Sequence, residues 1–186
     1  LEPETGSLSL VPPRPLHGGS TAPVYALAAF LFLQASVVLA LACAGAKPPV
    51  IETACELGFG QGISLAINSA ISAATWYGTD IEPSQVAFAR ELSDHYQERC
   101  KIYDQPFEQF KNNLEIKQFD FICLHGIWTW VSDVDRKIIC EFIAEKLKPG
   151  GLLYISYNTL PAWSPFLPVQ RLMHAFSESQ RSITVD

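Results

Sequence analysis

Apolar residues along this chain fall into two kinds of run, separated by glycine, proline and short polar residues. Short continuous apolar runs are typical of buried strands, whereas apolar residues spaced three or four positions apart are typical of helices. The two kinds alternate, which predicts an α/β fold with a parallel sheet. Right-handed crossovers would place the strands in the order 3-2-1-4-5. The five predicted strands cover residues 50–57, 75–80, 100–104, 118–125 and 151–157.

Helices are predicted between these strands. One covers residues 63–74, another begins at Pro83, and a third runs from a cap at Ser132 or Asp133 to about Lys146. Proline suits the first turn of a helix, and serine or aspartate caps a helix well. The residues expected to face the core from the second helix are Val86, Phe88, Ala89 and Leu92.

The N-terminal part of the chain divides at about residue 23. Residues 1–23 contain five prolines and no sustained periodicity, which predicts a tail or an added segment before a domain of residues 24–186. Residues 24–46 carry no charge and are long enough to span a membrane. Their alanine content, the polar Gln34 and Ser36, and their place shortly before the first strand favour a buried or interface helix over a membrane span.

Composition argues against some classes of function. The net charge is −6 and the chain has no basic run, so a surface that binds nucleic acid is not expected. The five cysteines are scattered and form no C-x-x-C pair, which predicts reduced, buried thiols, no metal site and a cytoplasmic location. A chain of 186 residues with 48% hydrophobic content can bury the core of one α/β domain.

The corner between the first strand and the first helix contains three alternate glycines, in the pattern Glu-x-Gly-x-Gly-x-Gly over residues 56–62. Glycine permits positive φ and close approach of a ligand, and a helix N-terminus offers unpaired N–H groups. The dinucleotide fingerprint needs G-x-G-x-x-G, and Ile63 stands where its third glycine would be, which disfavours a NAD-dependent enzyme. Asp80 ends the second strand, where nucleotide-binding folds place a carboxylate for the ribose hydroxyls.

This corner resembles motif I of the class I S-adenosylmethionine-dependent methyltransferases. Segments similar to that family's second, fourth and fifth strands follow in the same order at residues 75–80, 119–126 and 147–155. The stretches H-G-x-W-x-W-V at 125–131 and S-Y-N-x-x-P-A-W at 156–163 resemble a narrower subfamily, the methyltransferases with an attached regulatory domain. Some relatives in that subfamily methylate protein lysines.

The resemblance implies S-adenosylmethionine as the cofactor. Glu56 would lie near its positively charged methionine part, Asp80 would bind the ribose, and Phe107 would rest against the adenine from a loop predicted at 105–108. A core phenylalanine is the alternative for Phe107. The cofactor-binding residues that the resemblance implies are Glu56, Gly58, Gly60, Gln61, Gly62, Asp80, Ile81, Phe107 and His125.

The resemblance also implies methyl transfer to an amine or another nucleophile, on a small molecule or a protein side chain. The catalytic candidates are His125, Tyr157 and Asn158. His125 would orient or deprotonate the acceptor, or contact the methionine end of the cofactor. A predicted aromatic and polar rim around an amine consists of Trp128, Trp130, Tyr157, Asn158 and Trp163. The alternative function is a non-catalytic module that binds the cofactor or acts as a scaffold for a partner.

The family's sheet normally has a sixth and a seventh strand, and these two are expected to be missing here. Only 29 residues follow Tyr157, and they contain three prolines and then a helical pattern between residues 169 and 176. Such a sheet leaves the fifth strand as an open edge. We therefore expect a truncated domain that associates with a second copy of itself.

Overall fold

The computed structural model describes residues 37, 39–112 and 118–183. The strands are β1 (Thr53–Leu57), β2 (Thr75–Asp80), β3 (Cys100–Asp104), β4 (Phe119–His125) and β5 (Leu147–Ser156). They form one sheet in the order β3-β2-β1-β4-β5, and every neighbouring pair is parallel. The predicted α/β fold and the predicted strand order are confirmed.

Helices connect the strands and follow the last one. They are α1 (Ile63–Ile71), α2 (Pro83–Leu92), α3 (Phe107–Asn112), α4 (Asp133–Lys146) and α5 (Leu167–Ile183). Ser132 caps α4 as expected, because its hydroxyl oxygen accepts the N–H of Asp135 at 3.1 Å. Short 3₁₀ turns cover Asp94–Tyr96 and Ser164–Phe166.

Each face of the sheet carries its own hydrophobic core, since successive strand residues point to opposite faces. In β1, Ala54 belongs to one core and Cys55 to the other. The first core includes Leu65 of α1 and Val86 of α2, and the second includes Ile139 of α4. Because both faces are covered, the strands read as continuous apolar runs, which is why periodicity could find them.

The bounds of two strands differ from the predicted ones. β1 begins at Thr53, three residues later than expected. β5 begins at Leu147, directly after α4, and not at residue 151. A break in its register with β4 accommodates the segment around Pro149, and proline is tolerated on a strand at the edge of a sheet.

Predictions for α2 and α3 were wrong in part. Phe107 is the first residue of α3 and does not belong to a loop. Phe88 and Leu92 are 40% and 42% exposed, whereas Val86 and Ala89 of the same helix are buried. Since α2 packs next to the edge strand β3, a narrow apolar stripe is enough to hold it against the sheet.

The cysteines are free thiols, as predicted, but not all of them are buried. Cys55, Cys100 and Cys123 lie in the cores, while Cys43 and Cys140 are exposed. The expectation of buried thiols was therefore wrong for these last two. Cys140 lies on the outer face of α4, next to the buried Ile139.

Most of the predicted N-terminal helix of residues 24–46 lies outside the described residues, as does the tail of residues 1–23. Residues 39–43 are helical. In the part of the chain that the structure describes, no helix is both long and apolar enough to cross a membrane. The domain boundary at residue 23 stays a prediction.

The described residues that follow β5 form the second 3₁₀ turn and α5, and no strand. Within the described sheet, β5 is therefore an edge strand, in agreement with the expected absence of a sixth and a seventh strand. Association with a second copy stays a prediction.

Candidate cofactor site

A cleft of about 1210 Å³ opens at the carboxyl ends of the central strands. It lies next to the junction of β1 and β4, where the strand order reverses and where open α/β sheets bind their ligands. The predicted cofactor residues that line it are Glu56, Gly58, Gly60, Asp80, Ile81, Phe107 and His125. The sheet therefore brings together residues from four separate parts of the sequence.

The three alternate glycines all have positive φ, but their surroundings differ. A Cβ on Gly60 would meet nothing within 4 Å. A Cβ on Gly58 would lie 2.8 Å from the side chain of Ile127, and a Cβ on Gly62 would lie 2.5 Å from Cβ of Ala89. Gly60 therefore keeps the cleft open, while Gly62 allows α1 and α2 to approach each other.

Asp80 is oriented by the backbone around it. One carboxylate oxygen accepts the N–H of Gly60 at 2.8 Å, and the other accepts the N–H of Glu82 at 3.0 Å. Each carboxylate oxygen has a second lone pair, so both can also accept a hydrogen bond from a ligand. The carboxylate is thus held in one orientation, and its contact with the ribose stays a prediction.

Glu56 is a buried carboxylate at the inner wall of the cleft. Its side chain is 2% exposed, and the Ser64 hydroxyl lies 2.6 Å from both of its oxygens. Burial raises the pKa of Glu56 to about 7, and the hydrogen bond from Ser64 only partly opposes this. No cation pairs with Glu56 among the described residues. A cationic ligand group beside it would stabilise its charged form.

Gln105 carries an unpaired side-chain oxygen in the part of the chain that the structure describes. Its side-chain oxygen is buried and accepts no hydrogen bond from the described residues, although Gln105 lines the cleft next to Pro106 and Phe107. A buried acceptor without a donor is costly, so this one favours a ligand that donates an N–H. Sequence reasoning placed Gln105 in the predicted adenine loop of residues 105–108 but gave its side chain no role.

His125 ends β4 and forms part of the cleft wall. Its Nδ1 lies 3.2 Å from the Ser156 hydroxyl, which accepts the N–H of Gly126 at 2.8 Å. Burial lowers the pKa of His125 below its ordinary value, so its imidazole is neutral at pH 7.

Comparison with known proteins identifies the family. The model of the methyltransferase domain family matches residues 55–155, which include every strand except the last residue of β5 and the first two of β1. The chain belongs to this family.

Similar proteins include one of known structure and two that are similar in sequence. PKMT2 from Rickettsia typhi in complex with AdoHcy is 26% identical with a TM-score of 0.59, over 73% of this chain and 26% of that one. An uncharacterized protein of Synechocystis is 42% identical over 64% of this chain and 24% of its own length. An uncharacterized protein of Rickettsia prowazekii is 30% identical over 73% of this chain and 55% of its own length.

These comparisons confirm the class I methyltransferase fold and S-adenosylmethionine as the cofactor. The chain spans about a quarter of the length of the Synechocystis protein and 55% of the length of the Rickettsia prowazekii protein.

The other end of the cleft in this methyltransferase domain was largely missed by sequence reasoning. It is formed by the loop after β4, the first turn of α4 and one face of α5. Arg136 is held there by two partners, since its Nε donates to the carbonyl of Trp128 at 3.1 Å and its guanidinium pairs with Asp133. The lining residues at this end are Thr129, Trp130, Val131, Ser132, Asp133, Asp135, Arg136, Gln170, Met173 and His174.

The remaining predicted residues lie outside the cleft lining. Gln61 and Gly62 belong to the glycine corner, and their contact with the cofactor stays a prediction. Tyr157 is 58% exposed, and Asn158 donates its backbone N–H to the Thr129 hydroxyl at 3.0 Å. Asn158 thus ties the loop after β5 to the loop after β4, and the catalytic roles of Tyr157 and Asn158 stay predictions.

The predicted aromatic rim is assembled only in part. Trp130 lines the cleft and meets Trp163 edge to face, with ring centroids 6.3 Å apart. Trp163 stacks on Phe166 at 4.6 Å, a contact that sequence reasoning did not include. Trp128 packs instead against the core on the α4 side of the sheet.

Proposed function

We propose that this domain transfers the methyl group of S-adenosylmethionine to an amine, on a small molecule or on a protein side chain. The observation that supports this most strongly is the division of one cleft into two chemically different ends. One end offers a ribose-binding carboxylate and unpaired buried polar groups, and the other offers carboxylates and an exposed indole ring.

The first end fits the cofactor group by group. Bound S-adenosylmethionine supplies a methyl group on a positively charged sulfur. Glu56 would stabilise the positive charge of the methionine part, Asp80 would accept the ribose hydroxyls, and Gln105 would accept the adenine amino group. Glu56 lacks a cation and the Gln105 side-chain oxygen lacks a donor among the described residues, so the ligand would satisfy both.

The second end suits a positively charged acceptor. Asp133 and Asp135 carry negative charge in the first turn of α4, and the charge of Arg136 is offset by Asp133. Trp130 is 54% exposed and lines the cleft, so its ring face can attract a cation. An amine would be drawn to this end in its protonated form and would attack the methyl group after losing a proton.

The first experiment tests the cofactor end. The chain is titrated calorimetrically with S-adenosylmethionine, S-adenosylhomocysteine and NAD. We expect saturable binding of both adenosyl ligands and no binding of NAD. Asp80→Ala should weaken binding about 100-fold, because two hydrogen bonds to a charged group are lost. Asp104→Ala is the matched control, since Asp104 pairs with Asp80 in the sheet register but does not line the cleft.

A folded chain that binds NAD, or that binds neither adenosyl ligand, would contradict the proposal at this step. Equal losses of affinity in Asp80→Ala and Asp104→Ala would show that removing either carboxylate at these strand ends weakens binding, and that the effect of Asp80→Ala is not due to ribose recognition.

The second experiment tests the acceptor. Formation of S-adenosylhomocysteine is measured with a lysine-containing peptide and with its Nε-acetylated twin, which has no free amine. We expect product only with the free amine, and a higher KM in Trp130→Ala than in Trp130→Phe, which keeps an aromatic face. A chain that binds S-adenosylmethionine but transfers no methyl group to amines would instead support the non-catalytic module.

A further inference from the structure

Ser156 connects the catalytic candidate His125 to the neighbouring backbone. His125 and Ser156 are register partners on the parallel strands β4 and β5. The Ser156 hydroxyl oxygen lies 3.2 Å from Nδ1 of His125 and 2.8 Å from the backbone nitrogen of Gly126. The contact is therefore built into the sheet and does not depend on a loop.

Hydrogen counting indicates which way the hydrogen bond to the imidazole runs. The Gly126 N–H can only donate, so Ser156 accepts there with one lone pair. The hydroxyl carries one hydrogen, and Nδ1 of His125 is the acceptor recorded for it among the described residues. If Nδ1 carried a hydrogen, Ser156 would accept twice and its own hydrogen would lack an acceptor at a half-buried position, which is unfavourable.

We propose that Ser156 is a positioning residue that holds the His125 imidazole in its Nε2–H form, so that His125 is a hydrogen-bond donor and not the base. The last part rests on the proposed function, because it concerns how the methyl acceptor loses its proton. With Nδ1 accepting from Ser156 and Nε2 carrying a hydrogen, neither ring nitrogen of the neutral imidazole has a lone pair left to take up the acceptor's proton. The acceptor's proton would then pass to solvent water.

Activity as a function of pH cannot by itself test this role. The cleft also contains Glu56 from β1 and Asp80 from β2, and on the other side Asp133, Asp135 and Arg136 from α4 and His174 from α5. Several of these groups could produce a limb in a pH profile. The decisive readouts are the position of the hydrogen on the ring and the comparison of variants.

The first test is long-range ¹H–¹⁵N NMR of the full chain labelled with ¹⁵N-histidine. The chain has four histidines, and the His125 signals are identified as those that disappear in His125→Gln. We expect an unprotonated Nδ1 and a protonated Nε2 at neutral pH in the wild type. Ser156→Ala should shift the ring towards the Nδ1–H form, and Ser156→Thr, which keeps the hydroxyl, should not.

A protonated Nδ1 in the wild type would overturn the proposal, as would an unchanged tautomer in Ser156→Ala. If Ser156→Ala fails to fold, a protonated Nδ1 in the wild type or in Ser156→Thr would still overturn the proposal. This measurement needs neither a methyl acceptor nor turnover. Failure of the proposed function would appear as absent methyl transfer, and failure of the Ser156 proposal as the wrong tautomer. The two failures are therefore distinguishable.

The second test separates a donor from a base by substituting His125. Glutamine retains a side-chain N–H donor but cannot take up a proton, whereas leucine has neither property. With the lysine-containing peptide, we expect His125→Gln to keep kcat within about tenfold of the wild type and His125→Leu to fall further. If His125 were the general base, both variants would lose about 100-fold or more, and the donor role would be excluded.

Discussion

The two ends of the sheet each hold a carboxylate, and the two carboxylates are in opposite states. At the amino end, Asp120 accepts the N–H groups of Glu52 and Thr53 at 3.0 Å and pairs with Lys148 at 2.7 Å. Burial alone would raise the pKa of Asp120, but these partners outweigh it and hold the pKa at about 2. At the carboxyl end, Glu56 has only the Ser64 hydroxyl, and burial raises its pKa to about 7.

The difference separates a structural carboxylate, Asp120, from Glu56, which we propose to lie beside the cofactor. Asp120 joins β1, β4 and β5 through partners that the protein supplies itself. The charged form of Glu56 is buried at a cost that protonation or an added positive charge would relieve. The same end of the sheet holds the unpaired side-chain oxygen of Gln105. Among the described residues, the unpaired oxygen of Gln105 and the raised pKa of Glu56 thus lie at the end where we propose that the cofactor binds, while Asp120 at the opposite end is satisfied by the protein itself.

The largest expected effect concerns Glu56. Because its folded pKa of about 7 exceeds the ordinary 4.5, its contribution to stability is complete below pH 4.5 and is lost as the pH rises through 7. Glu56→Gln removes this loss and should raise the free energy of unfolding at pH 8 by up to about 3 kcal/mol. Denaturant unfolding of wild type and variant at pH 4.5 and pH 8 measures the difference.

The same variant should weaken the binding of S-adenosylmethionine. In the wild type at pH 7, binding of the cation should release about half a proton, which calorimetry in buffers of different ionisation enthalpy detects. Glu56→Gln should release none from this site. A variant that is no more stable than the wild type at pH 8 would show that Glu56 already has a sufficient partner.

A smaller effect is expected at the amino end. Asp120→Asn should lower the free energy of unfolding at pH 7 by about 2 kcal/mol, since the folded pKa is depressed from 3.8 to about 2. This contribution is complete above pH 3.8 and is lost as the pH falls through 2. As the pH rises from 2 to 8, Glu56→Gln should therefore become more stable than the wild type, and Asp120→Asn should become less stable. Denaturant unfolding across this pH range tests both.

Asp104→Asn serves as the control for the amino-end prediction, because it makes the same chemical change at an exposed strand end. It should leave stability nearly unchanged. If Asp120→Asn bound S-adenosylmethionine much more weakly than the wild type, the separation of the two ends into structural and ligand-binding roles would be wrong.

The sequence predicted the end of the cleft at Glu56 and Asp80, where we propose that the cofactor binds, better than the end at Trp130, where we propose that the acceptor binds. Glu56, the glycines and Asp80 are recognisable because their spacing lies within one strand–helix–strand unit. Trp130 and His174 line the same cleft only after β4, β5 and α5 have assembled. Their spacing along the sequence does not predict this. The partners of Asp120 are likewise distant, since Thr53 precedes it by 67 residues.

The wrong side-chain predictions share one physical cause. Helical periodicity shows which face of a helix is apolar, but not how much of that face the sheet covers. Phe88 and Leu92 belong to the apolar face of α2, yet that helix lies by the edge strand β3 and buries only Val86 and Ala89 fully. Burial at the edge of a sheet thus depends on tertiary packing that periodicity does not report.

The smallest expected effect on stability concerns Gly60, which we compare with Gly62 of the same glycine corner because their surroundings differ. Gly60→Ala should cost about 1 kcal/mol of stability, because positive φ strains alanine but the added methyl group meets nothing within 4 Å. Its main effect should be weaker binding of S-adenosylmethionine, since Gly60 lines the cleft. Gly62→Ala is the matched comparison: its φ is similar, but the methyl group would lie 2.5 Å from Ala89, so stability should fall further and binding by the folded fraction less. Equal losses of affinity in both variants, measured calorimetrically on folded protein, would mean that the corner responds as one unit and that Gly62 shares the ligand-binding role.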